Sequence, residues 1–380
     1  MAIPTPLKVT PTISDALRVG TPPELHVLKV RPPKGGSGVS DALELTKSLH
    51  HLEIEKSLLS TNVNSHRVSF EIWYDNESID FYYALPNAAE EEQYRRQLAG
   101  FNSGISIRRI FEQERKFPQI SSGAYVSLAR LGATRHVFEP LWSVGGEDAS
   151  DPYLPLLNAV DSQTDTKVVL QVLYEPVEPS WSEIGGQTIE EYSQRFEEEG
   201  ILNERYFGRV SDKITDPTVM TTGAEAIRRQ IGMPAYRVEV RVAVVSTDAG
   251  KSREELITLL NLFEKLYKGA TKQTLSPISS SNGEDLFARM LLREWDGKGI
   301  SSGISSELKI KAKGTVPELV LTAPELAGLA HLPSDSDVPV SGINYSEAMV
   351  DGVLPPDSEN FTPVTKQEKQ RAARNRTQTN

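Results

Sequence analysis

The sequence predicts an α/β (α+β) protein with two ferredoxin-like or split α/β sandwich subdomains, whose sheets are antiparallel or mixed. Three observations predict it: strands that alternate apolar and polar residues, helix-start signals between them, and polar, proline-rich ends. The chain has 380 residues, long enough for two hydrophobic cores, and a formal net charge of -11. We assign an extended arm to residues 1–37, the subdomains to 38–160 and 161–333, and a flexible tail to 334–380.

The first subdomain opens with apolar residues at helical spacing, which predict an amphipathic helix over Val39–Ser60. Period-two alternation over Val68–Tyr74 and again over Ile79–Leu85 predicts two antiparallel strands. Asn87 is expected to cap a helix, and Ile105 to begin the next strand. This order is typical of a sheet with helices on one face.

The second subdomain begins with a strand at Lys167. Capping-box patterns predict helix starts at Thr188–Glu191, Thr222–Glu225, Ser252–Glu255 and Thr322–Glu325. The strand Tyr236–Val245 alternates valines with charged residues, so we expect one face of its sheet to be solvated. The alternating charged residues are Arg237, Glu239 and Arg241.

Composition excludes several classes of site. The chain has no cysteine, which excludes disulfides, thiolate metal sites and cysteine nucleophiles. The adjacent His50 and His51 would point about 100° apart on a helix, so they cannot share a metal on one face. We find no catalytic motif, and expect no catalytic residues, no metal and no cofactor. Without an apolar run of about 20 residues, we expect no membrane insertion and a cytoplasmic protein, either free or peripheral to a membrane complex.

The stretch VVSTDAGKSREELITLL (Val244–Leu260) looks like a strand, a loop ending in Gly250-Lys251-Ser252, and a helix. A phosphate-binding loop also needs a glycine five positions before Gly250, where this chain has Val245. A β-branched residue does not readily adopt the positive φ of that position. A turn followed by a helix cap is our interpretation, and a divergent nucleotide-binding enzyme that uses Lys251 is an alternative.

The end of the chain is basic. It carries Lys366, Lys369, Arg371, Arg374 and Arg376. These side chains are suited to contact DNA phosphates or an acidic protein surface. A structural or regulatory DNA-binding protein that acts through this tail is therefore a second alternative.

Four segments resemble the region before the motor domain in conjugation and type IV secretion ATPases of the HerA/FtsK superfamily. They are DPYLPLL (Asp151–Leu157), VVLQVLYEPVEPSW (Val168–Trp181), YRVEVRVAVV (Tyr236–Val245) and LTAPELAGLAHLPSDSDVPVSGI (Leu321–Ile343). In those ATPases a phrase E-L-A-x-L-x-H-x-P closes the region, and a proline-containing linker leads to the motor.

The resemblance implies the accessory module of such a motor, either encoded separately or cut from a longer protein. No positions of this chain correspond to the Walker residues or the arginine finger, because only residues 357–380 follow Leu354-Pro355-Pro356. Our leading hypothesis is a non-catalytic docking module of a DNA-translocation system, with a motor ATPase, secretion-channel proteins or copies of itself as partners. The helix at Val39–Ser60 and the solvated sheet faces would carry these contacts.

Overall fold

The computed structural model describes most of the chain. These are residues 5–10, 25–33, 38–51, 53–56, 61–64, 66–75, 78–101, 104–110, 120–142, 153–161, 166–184, 187–200, 205–206, 209–210, 214–278, 283–295, 319–333, 340, 342–346 and 362–363. All structural statements below concern these residues.

An antiparallel sheet of 11 strands organises the described residues. Numbered in chain order, its main path is β1 (Leu7–Lys8), β8 (Tyr125–Ala133), β14 (Ala235–Ser246), β9 (Thr166–Pro176), β5 (Val68–Asp75), β6 (Ser78–Leu85), β2 (His26–Arg31), β7 (Ser106–Ile110) and β17 (Thr362–Pro363). Off this path, β15 (Leu275–Ile278) pairs with β8, and β16 (Leu319–Thr322) pairs with β14. The predicted α/β class with antiparallel strands is confirmed.

The two predicted subdomains share this sheet. Residue 160 was placed as their boundary, yet β5 of the first pairs with β9 of the second along Val68–Tyr74. The strand β8, which also precedes residue 160, pairs with β14. Backbone hydrogen bonds therefore run without interruption from one subdomain into the other.

Helices cover both faces of the sheet. One face carries α1 (Val39–Leu49), α2 (Ala88–Phe101), α3 (Tyr153–Asp161), α6 (Ala249–Leu266) and α8 (Ala323–Leu329). The other face carries α7 (Gly283–Leu292), and α4 (Ile189–Glu199) forms a helical hairpin with α5 (Pro217–Arg228). None of the described helices is long and apolar enough to cross a membrane.

Short elements complete the described fold. They are β3 (Glu53–Lys56), β4 (Thr61–Asn64), β10 (Glu183–Ile184), β11 (Gln187–Thr188), β12 (Arg205–Tyr206), β13 (Arg209–Val210) and a 3₁₀ turn at Pro179–Ser182. Three two-stranded ribbons result, because β3 pairs with β4, β10 with β11, and β12 with β13.

The central strand β14 shows why the sheet is buried on both faces. Its valines at 238, 240, 242 and 244 pack in one core with residues of α6 such as Leu256 and Phe263. On the opposite face, Ala243 and Val245 pack with Phe287 of α7. Each face thus removes its own apolar side chains from water, which is the main favourable term in folding.

The prediction of a solvated face on β14 is wrong. Glu239 is 7% exposed and Arg241 is 0% exposed. The alternation of valine with charged residues is present, but α7 and the residues after it pack on the charged side. A period of two identifies two faces of a strand and does not show what covers either of them.

The predicted helix Val39–Ser60 is also corrected. It ends at Leu49, and residue 50 leaves helical geometry with ψ 86°. The imidazole Nε2 of His50 lies 3.1 Å from the Ala235 carbonyl oxygen, which holds the chain against β14. The following residues pair instead as the β3–β4 hairpin, whose pairing gives the backbone an alternative to helical hydrogen bonds.

Helix caps are confirmed at three predicted positions. Asn87 Oδ1 accepts a hydrogen bond from the backbone N–H of Glu90 at 2.9 Å. Thr188 and Thr322 both form complete capping boxes with the glutamate three positions later. These signals are local, so the sequence alone is sufficient to find them.

Two other predicted caps are wrong, because an aspartate several residues earlier caps the helix instead. Asp216 accepts from Thr218 N at the start of α5, where Pro217 suits the first turn. Thr222 then lies inside α5. Asp248 caps α6, so Ser252 is likewise inside its helix.

Part of the predicted tail packs on the predicted arm and on the first subdomain. The backbone N–H of Ile79 donates to Gly342 O at 2.8 Å, and that of Ser346 donates to Pro32 O at 2.8 Å. Val340 and Ile343 are buried in the core. We call residues 340 and 342–346 the C-terminal strap, since they cross the ends of β2 and β6.

Candidate functional site

The predicted phosphate-loop residues begin α6. Asp248 Oδ1 accepts the backbone N–H of Lys251 at 2.7 Å. Backbone N–H groups at a helix start are the donors that would bind a phosphate. Here a carboxylate of the chain already bonds to one of them, so a nucleotide would have to displace Asp248 and overcome its negative charge.

The basic residues Lys366, Lys369, Arg371, Arg374 and Arg376 lie outside the described residues. The nearest described element is β17, which pairs antiparallel with β7 through Thr362–Ile107 and Pro363–Ser106. DNA contact through the tail therefore stays a prediction.

The charged side of β14 belongs to a buried polar network. Arg241 donates from Nε to Glu239 at 2.6 Å and from Nη1 to Gln171 at 3.0 Å. Gln171 in turn donates from Nε2 to Glu71 Oε1 at 3.0 Å. Arg293, which follows α7, donates two hydrogen bonds to the Glu71 carboxylate, from Nε at 2.7 Å and from Nη2 at 3.0 Å. These charges hold α7 on the sheet, so they are not free to contact a partner.

The helical hairpin α4–α5 has a hydrophobic core of its own. Tyr192 and Phe196 of α4 pack with Ala224 and Ile227 of α5. A Cβ on Gly223 would come 2.6 Å from the Phe196 ring, which explains why the smallest residue occupies the helix contact. The hairpin connects to the sheet through a few further members of this cluster, namely Phe138, Trp181 and Ala235.

The outer face of the helical hairpin is acidic. The 11 residues of α4 include five glutamates and a single arginine. Glu191, Glu198 and Glu199 are exposed. Arg228 of α5 pairs with Glu197 and lies 4.0 Å from Glu190, but such exposed pairs contribute little stability. The face is suited to attract a basic surface.

A buried connecting segment joins this helical hairpin to the rest of the fold. We call Thr134–Trp142, which follows β8, the connector. Its backbone carbonyls accept hydrogen bonds from two glutamine side chains: Gln230 Nε2 bonds to Phe138 O at 2.6 Å, and Gln273 Nε2 bonds to His136 O at 3.0 Å. Buried backbone without regular secondary structure needs such partners.

Glu139 of the connector reaches α4. The Tyr192 hydroxyl donates to Glu139 Oε1 at 2.7 Å, and Glu139 is 3% exposed. Glu139 Oε2 has no partner of good geometry among the described residues. Burial raises the pKa of Glu139 to about 7, although Tyr192, Arg135 and the Thr271 hydroxyl favour its charged form. The carboxyl thus titrates near neutrality.

His136 lies beside this contact and is stacked on the Tyr192 ring at 4.3 Å between centroids. Burial lowers the pKa of His136 to about 4, so its imidazole is neutral at pH 7. The ring fixes one face of Tyr192 without adding a charge near Glu139.

A small cavity adjoins Glu139. Its polar lining comes from Arg135, Glu139 and Gln273, and its apolar lining from Ala133, Val137, Leu141 and Leu319–Leu321. The space open to the centre of a water molecule is about 10 Å³, which is enough for about one water. Nη1 of Arg135 has no hydrogen-bond partner among the described residues, so a water here would have polar groups to bind.

The phrase ELAGLAHLP (Glu325–Pro333) packs on the other side of the connector. Glu325 Oε1 accepts the backbone N–H of Leu141 at 2.7 Å, while Oε2 completes the capping box with Thr322. A Cβ on Gly328 would lie 2.7 Å from the Trp142 ring. His331 Nδ1 lies 3.0 Å from the Ala327 carbonyl oxygen. The polar and small residues of the phrase therefore serve packing.

A profile of the family described as a domain of unknown function (DUF8128) matches residues 1–342. The chain belongs to this family. No curated protein matches the chain. The DUF8128 region contains the connector, the helical hairpin and α8, whereas the basic residues 366–376 lie beyond it.

A second pocket of the DUF8128 fold contains a histidine–glutamate pair. His66 Nδ1 lies 2.7 Å from Glu90 Oε1, and the pocket is also lined by His51, Tyr94 and Tyr174. Within the described segments, no group of three or more His, Cys, Asp or Glu side chains is arranged to hold a metal ion.

Sequence reasoning missed Glu139 and Tyr192. The available signal was a single acidic residue inside the otherwise apolar stretch VFEPLW at Val137–Trp142. Charged residues in such contexts are seldom fully buried without a partner. The partner, Tyr192, lies 53 positions away, and no local pattern links the two.

Proposed function

We propose that this chain is a non-catalytic docking and assembly module of a conjugative or type IV secretion DNA-translocation ATPase system. The observation that carries the proposal is the helical hairpin α4–α5. It leaves the sheet between the central strands β9 and β14, has its own core, and presents an acidic face. The resemblance of the Leu321–Ile343 segment to the pre-motor region supplies the class of partner.

The surfaces first expected to carry the contacts are reassigned by this proposal. The predicted solvated face of β14 is buried, and α1 packs against α2 and α8 through Ala42, Leu45 and Leu49. The outer face of α4 remains open in the described structure, with Glu191, Glu198 and Glu199 exposed. We expect it to bind a basic surface on a motor ATPase or a secretion-channel protein, with an association that weakens as salt rises.

The position of the ELAGLAHLP phrase also supports an accessory module. The first five residues of this phrase belong to α8, which packs on α1 and the connector, and the C-terminal strap follows the phrase. In the resembling ATPases, the equivalent phrase ends the folded region that precedes the linker. A pre-motor unit would need such an element to fix where its linker departs.

The test is an isothermal titration calorimetry measurement, at two salt concentrations, of binding between this protein and a motor ATPase or channel protein encoded beside it. The variant is Glu198→Lys on α4, and the matched control is Glu254→Lys on α6; both glutamates are exposed and helical. We expect Glu198→Lys to weaken binding about tenfold, since like charges at an interface oppose association. Absence of binding, or equal effects of both variants, would reject the proposal.

A further inference from the structure

We propose that Glu139 is a protonation-controlled clasp that fixes the helical hairpin α4–α5 to the sheet. In the closed arrangement its carboxyl accepts the Tyr192 hydroxyl of α4, in a site that is sealed by the connector and by β16. Loss of the carboxyl proton leaves a charge in this site and favours release of the helical hairpin. The inference concerns the isolated chain and does not depend on the identity of a partner.

The geometry gives the clasp its position. Glu139 and Phe138 are adjacent in the connector; the first bonds to Tyr192, and the second packs in the core of the helical hairpin. Gln230, just after α5, bonds to the Phe138 carbonyl. The helical hairpin is therefore held at both of its helices by two neighbouring residues, and only one of these contacts titrates.

Burial favours the uncharged carboxyl of Glu139, whereas the polar groups that face it favour the charged form. From its own segment come Arg135 and the neutral His136, and from α4 comes Tyr192. The loop before β15 supplies the Thr271 hydroxyl, and β16 supplies apolar residues to the cavity. Burial outweighs the opposing effects of Arg135 and the hydroxyls, which is why the pKa of Glu139 rises from 4.5 to about 7.

The sign of the pH effect follows from proton linkage. The closed state binds the proton more tightly than an opened state with an ordinary carboxyl, so closure is favoured at low pH. Its advantage is lost as the pH rises from the ordinary pKa of 4.5 through the raised value of about 7. The equilibrium constant for opening then increases by about 50- to 100-fold between pH 5 and pH 8, and changes little above that.

A second buried carboxyl, that of Glu325, lies on the opposite side of the connector and titrates separately. Burial raises its pKa to about 7 as well, but its partners are Thr322 and the Leu141 N–H. Its contacts hold α8 and not the helical hairpin. Opening of α4 and opening of α8 therefore report on different carboxyls.

The test is hydrogen–deuterium exchange of the full chain, followed by mass spectrometry between pH 5 and pH 8 with correction for intrinsic exchange rates. We expect peptides of α4 to gain exchange with rising pH relative to peptides of α6. Glu139→Gln keeps the side-chain shape without the titration and should make the α4 profile flat. The matched control, Glu254→Gln on the exposed side of α6, should leave the wild-type profile of α4 unchanged.

Two results would overturn the clasp. One is a wild-type profile in which α4 and α6 respond alike to pH. The other is a pH response of α4 that persists in Glu139→Gln. Should Glu139→Gln fail to fold by circular dichroism, Tyr192→Phe serves instead: it removes the donated hydrogen bond, so α4 should exchange faster at pH 5, and an unchanged rate there would contradict the proposal.

Discussion

The Glu71 carboxylate accepts five hydrogen bonds in the closed space between β5 and α7. The donors are Ser69 Oγ at 2.7 Å, Trp73 Nε1 at 3.0 Å, Gln171 Nε2 at 3.0 Å, and Arg293 Nε and Nη2 at 2.7 and 3.0 Å. Glu71 is 0% exposed. We predict that Glu71→Gln strongly destabilises the protein, because an amide turns one of these acceptor positions into a donor and leaves the Arg293 guanidinium without its counter-charge.

The magnitude follows from this geometry. Breaking a buried ion pair by removing one partner costs about 3–5 kcal/mol, most of it from the charge left behind. The Arg293 side chain is 5% exposed, so water cannot readily replace the carboxylate. We therefore expect Glu71→Gln to lower the free energy of unfolding by about 3 kcal/mol or more.

Equilibrium unfolding in urea, monitored by tryptophan fluorescence at pH 7, measures this change. Arg293→Met and the double variant complete a double-mutant cycle, in which we expect a coupling free energy of about 1–3 kcal/mol. Glu254→Gln, on the exposed side of α6, is the control and should stay within about 0.5 kcal/mol of wild type. A loss below about 1 kcal/mol for Glu71→Gln, or a coupling indistinguishable from zero, would refute the argument that this pair holds α7 on the sheet.

Two further predictions test the connector and the start of α6. Gly269→Ala would place a methyl group 1.9 Å from a connector carbonyl oxygen. It should therefore lower the free energy of unfolding by about 1–3 kcal/mol in the urea assay. The control Gly283→Ala, whose added methyl group would have nothing within 4 Å, should be nearly neutral in the same assay. Asp248→Ala removes the α6 cap and should lower the free energy of unfolding by about 1 kcal/mol. Adding Mg-ATP or Mg-GTP should leave the melting temperature of the wild-type protein unchanged. A shift on adding nucleotide would instead favour the phosphate-loop alternative.

The local features of the fold could be predicted from the sequence. The β5–β6 alternation, the Asn87 cap and the capping boxes at Thr188 and Thr322 all depend on residues within a few positions of one another. Competing local signals account for the wrong caps. Asp216 and Asp248 each precede the favoured threonine or serine by only a few residues, and each offers an equally good acceptor.

The candidate site was largely invisible to sequence reasoning. The Gly250-Lys251-Ser252 pattern indicates a phosphate-binding loop, but the backbone N–H of Lys251 donates a hydrogen bond to Asp248. Glu139 has no motif around it, and what makes it titrate near neutrality is burial by segments that are distant in the chain. A raised pKa of this kind depends on the environment of a carboxyl and not on its neighbours in sequence.

The sequence by itself determined the α/β class, the alternating strands, three of the caps and the absence of cysteine chemistry. These follow from the backbone and the residues next to it. Only the tertiary structure decided that strands of both subdomains share one sheet, that Glu239 and Arg241 are buried, and that Glu139 meets Tyr192. The physical reason is that burial and hydrogen-bond pairing between distant segments depend on which surfaces come together, and a one-dimensional pattern specifies a face without specifying its partner.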